Sequence, residues 1–212
     1  MLSRIMSTVT SLQPKFLKRF RMEIDFLEVS LPRPDLPDGY TWSEWHPSLL
    51  HEHALAKFLS FHNELDSQIF PALRTVAGCR DLMRSIANHK AFLPQSTWLI
   101  RAAQNDFRPE FPCGTIQGLT QSSKLGAIQN IGIIPEHRGL GLGRALVLKN
   151  LHCFRSFGMQ RVYLDVSAEN EPAVELYRSI GFRHVKTSYR EIVLPLPKSS
   201  EAATATSHPS PT

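Results

Sequence analysis

The stretch with the clearest chemical potential is a glycine-rich turn that follows a run of β-branched residues. Residues 131–134 are mostly isoleucine and end at Pro135, which predicts a strand that closes there because proline has no N–H for a sheet ladder. Gly139, Gly141 and Gly143 then alternate where a helical pattern begins. The uncovered N–H groups at the start of that helix, together with the positive end of its dipole, suit a phosphate group.

The elements before the turn predict a helical pair followed by an antiparallel meander. The periodicity of the apolar residues predicts strands at 20–31 and 40–45, helices at 48–61 and 80–87, and strands at 97–102, 113–120 and 127–134. Ser48 is the expected N-cap of the first helix. The meander therefore ends directly in the glycine-rich turn.

The elements after the turn predict a helix, a strand, a second helix and a last strand. Apolar residues at helical spacing up to Gly158 define the first helix, and residues 161–167 form a strand. Because a helix intervenes, this strand is expected to lie parallel to the one before the turn. Asn170 begins a second helix that ends at Gly181, and residues 182–194 read as a strand.

Composition places the chain among ordinary globular proteins of one domain. Its 212 residues are 42% hydrophobic and 20% charged, with a formal net charge of +5. The basic residues are scattered without aromatic interleaving, which argues against nucleic acid and favours small anionic ligands. Three distant cysteines fit neither a disulfide framework nor a metal site. With no apolar run long enough to span a bilayer, we expect a reducing, cytoplasmic location without membrane contact.

The two ends of the chain differ in composition from the middle. Residues 1–19 are basic and lack acids, which fits an organellar transit peptide or a flexible leader, and the missing cleavage pattern favours the leader. Residues 196–212 are rich in Pro, Ser, Thr and Ala, which predicts a disordered tail. Residues 20–195 are therefore expected to form the single domain.

Two spaced motifs in this domain resemble those of the GNAT (Gcn5-related N-acetyltransferase) family. Residues 138–143 have the Q/R-x-x-G-x-G/A form, and residues 170–182 resemble the later N-x-x-A-x-x-L-Y-x-x-x-G-F signature. The resemblance implies an α+β fold with three layers (α/β/α), in which helices flank a mixed, mostly antiparallel sheet of about six to seven strands.

The glycine-rich turn does not match two other glycine motifs that bind nucleotides. A dinucleotide fingerprint that starts at Gly139 would need glycine where Arg144 stands, and a P-loop needs a lysine directly after Gly143. Both classes of nucleotide site are therefore excluded.

The family resemblance implies an acetyl-CoA site with assigned roles and no metal. The turn would hold the pyrophosphate, the preceding strand and Asn170 would contact the pantetheine arm, and Tyr177 would protonate the departing thiolate. We expected Gly132 to allow close approach of the pantetheine. The implied cofactor-binding residues are Ile131, Gly132, Ile133, Arg138, Gly139, Leu140, Gly141, Leu142, Gly143, Arg144 and Asn170. Asn170 is explained equally well as a helix N-cap.

The implied reaction is direct acetyl transfer to a primary amine, which needs a group that removes a proton. The strand at 128–131 carries no glutamate at the family's usual position. Glu64, Asp66, His62 or a water relay could act instead. We expect a small-molecule acceptor rather than a protein, and a monomer or homodimer. An acyl-CoA sensor without turnover is the alternative.

Two histidines lie on the first predicted helix. His51 and His53 lie two positions apart, so their side chains point in different directions and cannot share a metal ion. Both are therefore expected to face solvent.

Overall fold

The computed structural model describes residues 15–103 and 110–193, and within them the chain forms seven strands and five α-helices. Their bounds are β1 Phe16–Asp25, β2 Tyr40–Glu44, α1 Leu50–Phe61, α2 Asp66–Ile69, α3 Val76–Ala87, β3 Phe92–Ala102, β4 Phe111–Thr120, β5 Leu125–Ile133, α4 Leu142–Ser156, β6 Arg161–Ser167, α5 Glu171–Ile180 and β7 Arg183–Glu191. Among these helices, none is long and apolar enough to cross a bilayer.

The strands form one mixed sheet in the order β2-β3-β4-β5-β6-β1-β7. Only β5 and β6 pair in parallel, and the other neighbours are antiparallel. Helices cover both faces: a side chain at Gly132 would meet α1, whereas one at the oppositely directed Gly114 would meet Leu146 of α4. The expected three-layer α+β fold with a mostly antiparallel sheet is confirmed.

The first strand begins earlier than expected and occupies an internal position of the sheet. β1 starts at Phe16 and lies between β6 and β7, so residues 16–19 of the expected leader belong to the sheet. Their basic residues suggested a leader, but Arg19 is only 6% exposed because it has an ionic partner in the fold. Residues 1–14, like the expected tail at 196–212, lie outside the described residues.

The main hydrophobic core lies between the sheet and helices α4 and α5. Leu151 and Phe154 of α4, which the helical spacing predicted to face inwards, are completely buried and pack with Val162 and Leu164 of β6. Burial of each such side chain contributes roughly 1.5–3 kcal/mol. This core fixes α4, and with it the glycine-rich turn, against the end of β5.

The start of α1 differs from the sequence expectation. A short 3₁₀ turn at Pro47–Leu49 precedes it, and the His46 ring nitrogen Nδ1 accepts a hydrogen bond from the Ser48 N–H. Leu49 stands at the N-cap of α1 without a side-chain bond. The predicted cap at Ser48 is therefore wrong, because Pro47 starts a tighter turn before the helix proper.

Candidate active site

A cleft opens where β5 and β6 separate. Their parallel pairing covers only residues 125–127 of β5, and beyond that point the β6-facing edge of β5 has no strand partner within residues 15–103 and 110–193. A β-bulge marks the separation, because Gln117 pairs with Gln129 and Thr115 with Gly132, which leaves two residues of β5 opposite one of β4. Asn130 within the bulge has φ 49°. The bulge bends β5 away from β6 and exposes backbone groups to the cleft.

The cleft encloses a cavity of about 600 Å³, a volume typical of ligand sites. Of the predicted site residues, only Leu140 is not part of its lining, and its side chain is half exposed beside it. The predicted residues that line the cavity are Ile131, Gly132, Ile133, Arg138, Gly139, Gly141, Leu142, Gly143, Arg144, Asn170 and Tyr177. The tertiary structure thus brings two separate sequence motifs to one cavity.

The glycine-rich turn leaves the start of α4 open to an anion. Gly139 and Gly141 have φ 78° and 80°, a left-handed conformation that favours glycine. Gly141 is the N-cap of α4, no side chain caps the helix, and its first turn contains no acid. A Cβ at Gly139 or Gly141 would meet no protein atom within 4 Å. The first N–H groups of α4 are therefore left without a side-chain cap, which is a property of helix N-termini that bind phosphate.

The Arg138 side chain ties the turn to α1. Its Nε donates to the carbonyl of Ile133 at 3.0 Å and its Nη2 to the carbonyl of Ser60 at 3.0 Å. Its Nη1 lies 2.7 Å from Glu64 Oε1. The guanidinium is therefore engaged by protein groups, and the predicted phosphate contact of this residue would come from its backbone.

Gly132 is needed for a reason that the sequence did not reveal. We expected it to admit the pantetheine arm, but an ideal Cβ there would lie 2.6 Å from Ser60 Cβ and 2.8 Å from Phe61 Cε2. Such contacts are too short for any side chain. Glycine at this position allows α1 to pack directly against β5.

Tyr177 lies at the inner end of the cleft on α5. Its side chain is 5% exposed, and its hydroxyl makes no hydrogen bond to any residue that the structure describes. Burial raises the pKa of this hydroxyl, the charge of Asp66 raises it further, and Arg19 partly opposes both. The phenol is therefore protonated at neutral pH and can donate a proton into the cleft.

A partly buried ionic cluster lies beside Tyr177, in which the side chain of Arg19 is 8% exposed and that of Asp66 is 24% exposed. Asp66 Oδ1 accepts hydrogen bonds from Arg19 Nη1 at 2.5 Å and from Ser167 Oγ at 2.5 Å. Arg19 also donates to Ser167 Oγ at 2.8 Å and to the carbonyl of Asp165 at 3.0 Å. Asp66 and Ser167 both line the cleft. The guanidinium thus fixes a carboxylate at the inner end of the cavity.

The structure places two of the three expected proton acceptors in the cleft and the third outside it. Glu64 and Asp66 line the cleft, and each faces an arginine. His62 does not line it, because its ring stacks on Phe58 with centroids 4.6 Å apart. The two carboxylates are the candidates that the geometry retains.

Comparison with known proteins identifies the family. The profile described as "Acetyltransferase (GNAT) family" matches residues 59–182, which is more than half of the chain. The chain belongs to the GNAT acetyltransferase family. A mycothiol acetyltransferase of Thermobispora bispora is 31% identical over 159 residues, which cover 74% of this chain and 50% of that protein. One of Thermobifida fusca is 48% identical over 65 residues, which cover 31% of this chain and 20% of that protein.

Solved GNAT structures share the fold at low sequence identity. A GCN5-related N-acetyltransferase from Sphaerobacter thermophilus superposes with a TM-score of 0.61 at 22% identity, covering 84% of this chain and 51% of that one. The ribosomal-protein-S18-alanine N-acetyltransferase of Escherichia coli gives 0.50 at 16% identity, covering 74% and 96%. The chain spans half the length, or less, of the curated relatives described above.

Asn170 in this GNAT chain has a structural role as well as a place in the cleft. Its Oδ1 accepts a hydrogen bond from the N–H of Ala173 at 3.3 Å, which caps α5. Because α5 carries Tyr177, this cap also helps to position the tyrosine. Its contact with the pantetheine arm stays a prediction.

The sequence interpretation missed several residues of this GNAT site, among them Arg19, Ser60, Ser167 and the cleft-lining Glu169. Arg19 was assigned to the leader, Ser60 lies near the end of α1 without a motif, and Ser167 ends β6. Arg19 carried no usable signal either, because the predicted apolar alternation runs through Met22 and Ile24, and a bulge between Arg21 and Met22 shifts the buried positions of β1. Ser60 and Ser167 became identifiable only once β5, β6 and α1 were placed together.

A buried polar network lies behind the bulge, and it contradicts the expectation for His53. His51 is exposed as expected, but His53 is fully buried and shares a 2.9 Å hydrogen bond with Thr115. Gln117 Nε2 donates to the same hydroxyl at 2.7 Å, and Lys57 Nζ donates to Gln117 Oε1 at 2.5 Å. The inward position of His53 follows from α1 packing on β4, which its own polarity did not indicate.

Burial changes the titration of this network. It lowers the pKa of Lys57 to about 7, with a small opposing effect from Cys79. It also lowers the pKa of His53 to about 3, and the charges of Lys57 and Arg101 lower it further. Burial therefore disfavours the charged form of both groups.

Proposed function

We propose that this GNAT domain transfers the acetyl group of acetyl-CoA directly to a primary amine. The observation that carries the proposal is that one cavity joins an uncapped, acid-free helix N-terminus at Gly141 to a protonated, buried Tyr177. Acetyl transfer from acetyl-CoA requires a site that binds the pyrophosphate and a group that protonates the departing thiolate, and this cavity combines the two.

The donor is proposed to bind along the turn and the free edge of β5. The first N–H groups of α4 would hold the pyrophosphate, and the charge of Arg144 at that helix end favours the same anion. Backbone groups of residues 131–133, left without a strand partner on the β6 side, would bind the amides of the pantetheine arm. The thioester would then lie near the inner end, at Tyr177.

Transfer is proposed to proceed without a covalent enzyme intermediate. The amine nitrogen attacks the thioester carbonyl, a C–N bond forms, and the C–S bond breaks. Tyr177 donates its proton to the departing thiolate. Asp66 is the proposed acceptor of the amine proton, because it is the carboxylate whose charge acts on Tyr177.

The acceptor is proposed to be a small molecule. The cavity of about 600 Å³ has the size of a small-ligand site. The relatives named mycothiol acetyltransferase are at least twice as long as the region they share with this chain. Their acceptor therefore does not carry over, and the family reaction is the part that supports the proposal.

A sensor that binds acyl-CoA without turnover is the second candidate. It is favoured by the lack of a glutamate in residues 128–131, the position at which the family usually carries one. It predicts donor binding at the same turn and no release of thiol.

Two measurements test these functions in sequence. Saturating acetyl-CoA is expected to raise thermal stability, by about 2.7 kcal/mol at a hundred times its dissociation constant. Absence of any shift would contradict both candidates. Thiol release with a panel of primary amines then separates them: amine-dependent release supports the transferase, and binding without release under any amine supports the sensor.

A further inference from the structure

One guanidinium group, that of Arg138, connects three elements of the cleft. Its nitrogens bond to the carbonyl groups of Ile133 and Ser60 and to the carboxylate of Glu64. Ile133 ends β5, Ser60 lies in the last turn of α1, and Glu64 follows that helix. All of these residues line the cleft. The side chain therefore holds the end of α1 against the start of the glycine-rich turn.

The last turn of α1 takes its cation from another part of the chain. The last carbonyl groups of a helix have no intrahelical partner and form the negative end of its dipole. The N–H of Glu64, which would reach the Ser60 carbonyl if the helix continued, bonds to Phe61 instead. The last turn of α1 contains no basic residue of its own. Arg138 supplies both the missing donor and the positive charge.

The connection between α1 and α2 forms the part of the cleft wall at which the amine is proposed to bind. It consists of residues 62–65, and Asp66 begins α2 directly after it. Arg138 binds this connection through Glu64, and Arg19 binds its far end through Asp66. Because the connection is short, the position of the end of α1 helps to set the position of Asp66.

The two arginines of the glycine-rich turn differ in their engagement. Each of the three guanidinium nitrogens of Arg138 has a protein partner, and the charge is matched by Glu64. Arg144, in the first turn of α4, donates to the Ser179 hydroxyl at 2.9 Å and forms no ion pair with any residue that the structure describes. The charge of Arg144 is therefore available to an anion, whereas that of Arg138 is directed to the wall.

We propose that Arg138 is a positioning residue for the acceptor: its side chain holds the wall that carries Glu64 and Asp66 and does not bind the donor. This inference rests on the proposed function, because it assigns a role in the same site. Without the guanidinium, the end of α1 and residues 62–65 gain freedom, and the amine loses a fixed wall. The N–H groups that follow Gly141 still bind the pyrophosphate.

Separate measurements on the two substrates test this role. In Arg138→Met, kcat/KM for the amine at saturating acetyl-CoA is expected to fall at least about tenfold, while the Kd for acetyl-CoA changes less than about threefold. Arg144→Met should show the opposite pattern, with weaker acetyl-CoA binding and amine kinetics close to wild type. Arg155→Met removes an exposed charge outside the cleft and should change neither quantity.

A double variant tests whether Glu64 acts through Arg138. Glu64→Gln removes the ion pair but leaves the two carbonyl bonds of the guanidinium, so its effect on amine kinetics should be smaller than that of Arg138→Met. The combined variant Arg138→Met/Glu64→Gln is expected to be no worse than Arg138→Met alone, because both changes act on one contact. Losses that multiply would show that Glu64 acts independently and would contradict the assigned partnership.

Hydrogen exchange gives a readout that needs no acceptor. Amides of residues 62–67 are expected to exchange faster in Arg138→Met than in the wild type or Arg144→Met, because the end of α1 has lost its anchor. Unchanged exchange would overturn the inference, and so would weaker acetyl-CoA binding with unaltered amine kinetics. A wild type that binds no acetyl-CoA, or releases no thiol with any amine, would instead contradict the proposed transferase, and exchange then decides the positioning role alone.

Discussion

The two ends of the β5–β6 cleft are built in different ways. The proposed donor end consists of backbone from one continuous stretch, residues 131–144, which combines left-handed glycines with a helix N-terminus that no side chain caps. The inner end consists of side chains from separate elements: Arg19 from β1, Asp66 from α2 and Ser167 from β6. One end depends on local backbone geometry and the other on long-range ionic pairing.

This difference makes the two ends sensitive to different changes. A backbone site is altered by the addition of a Cβ and tolerates most changes of charge elsewhere. A buried ionic cluster is altered by the loss of one partner, because the other charge then stays desolvated. Variants can therefore damage either end selectively.

The largest effect is expected from removal of the buried arginine at the inner end. Arg19→Met leaves Asp66 without its partner and should lower the free energy of unfolding by about 3–5 kcal/mol, measured by urea denaturation. Arg21→Met is the matched control, since its pair with Asp165 has both side chains 40% exposed and should cost at most about 1 kcal/mol. Equal losses in the two variants would show that burial of the cluster does not matter.

Removal of the Tyr177 hydroxyl tests chemistry at the inner end without disturbing the donor end. Tyr177→Phe should slow amine-dependent thiol release by about a hundredfold, while the Kd for acetyl-CoA changes little. Tyr163→Phe is the control, because that ring lies 4.1 Å below Arg21 and does not line the cleft. A Tyr177→Phe rate equal to the wild-type rate would remove this residue from the mechanism.

A single methyl group tests the donor end. Gly141→Ala places a Cβ before the free N–H groups of α4 and should raise the Kd for acetyl-CoA at least about tenfold, measured by calorimetry. Gly158→Ala is matched to it, since both glycines have positive φ (80° and 76°) and open space around the added atom. Both variants should lose about 1 kcal/mol of stability from backbone strain, but only the first should lose affinity.

The smallest effect is expected behind the cleft, at Lys57. Its pKa falls from 10.5 to about 7 on folding, so between these pH values the unfolded chain binds more protons and stability decreases as pH falls. Lys57→Met should flatten this slope, because the group that takes up the proton on unfolding is then absent. The exposed variant Lys90→Met should keep the wild-type slope, and parallel curves for all three proteins would contradict the assignment.

Much of the fold could be predicted from sequence because its elements have local signals. β2, β6, α4 and α5 lie close to their expected positions, since periodicity, Asn170 and terminal glycines mark their ends. Two expectations failed where a tertiary contact overrides a local one. Arg19 looked like part of a solvated basic leader but has an ionic partner, and His53 looked solvent-facing but packs against β4.

The sequence alone determined the glycine-rich turn at the proposed donor end of the cleft, because the spacing of Gly139, Gly141 and Gly143 sets the backbone that forms it. Tertiary structure decided the inner end: Arg19, Asp66 and Ser167 meet only when β1 inserts between β6 and β7. The physical reason is the distance along the sequence between the residues that interact. Backbone conformation follows from neighbouring residues, whereas the pairing of buried charges depends on which distant strands become adjacent.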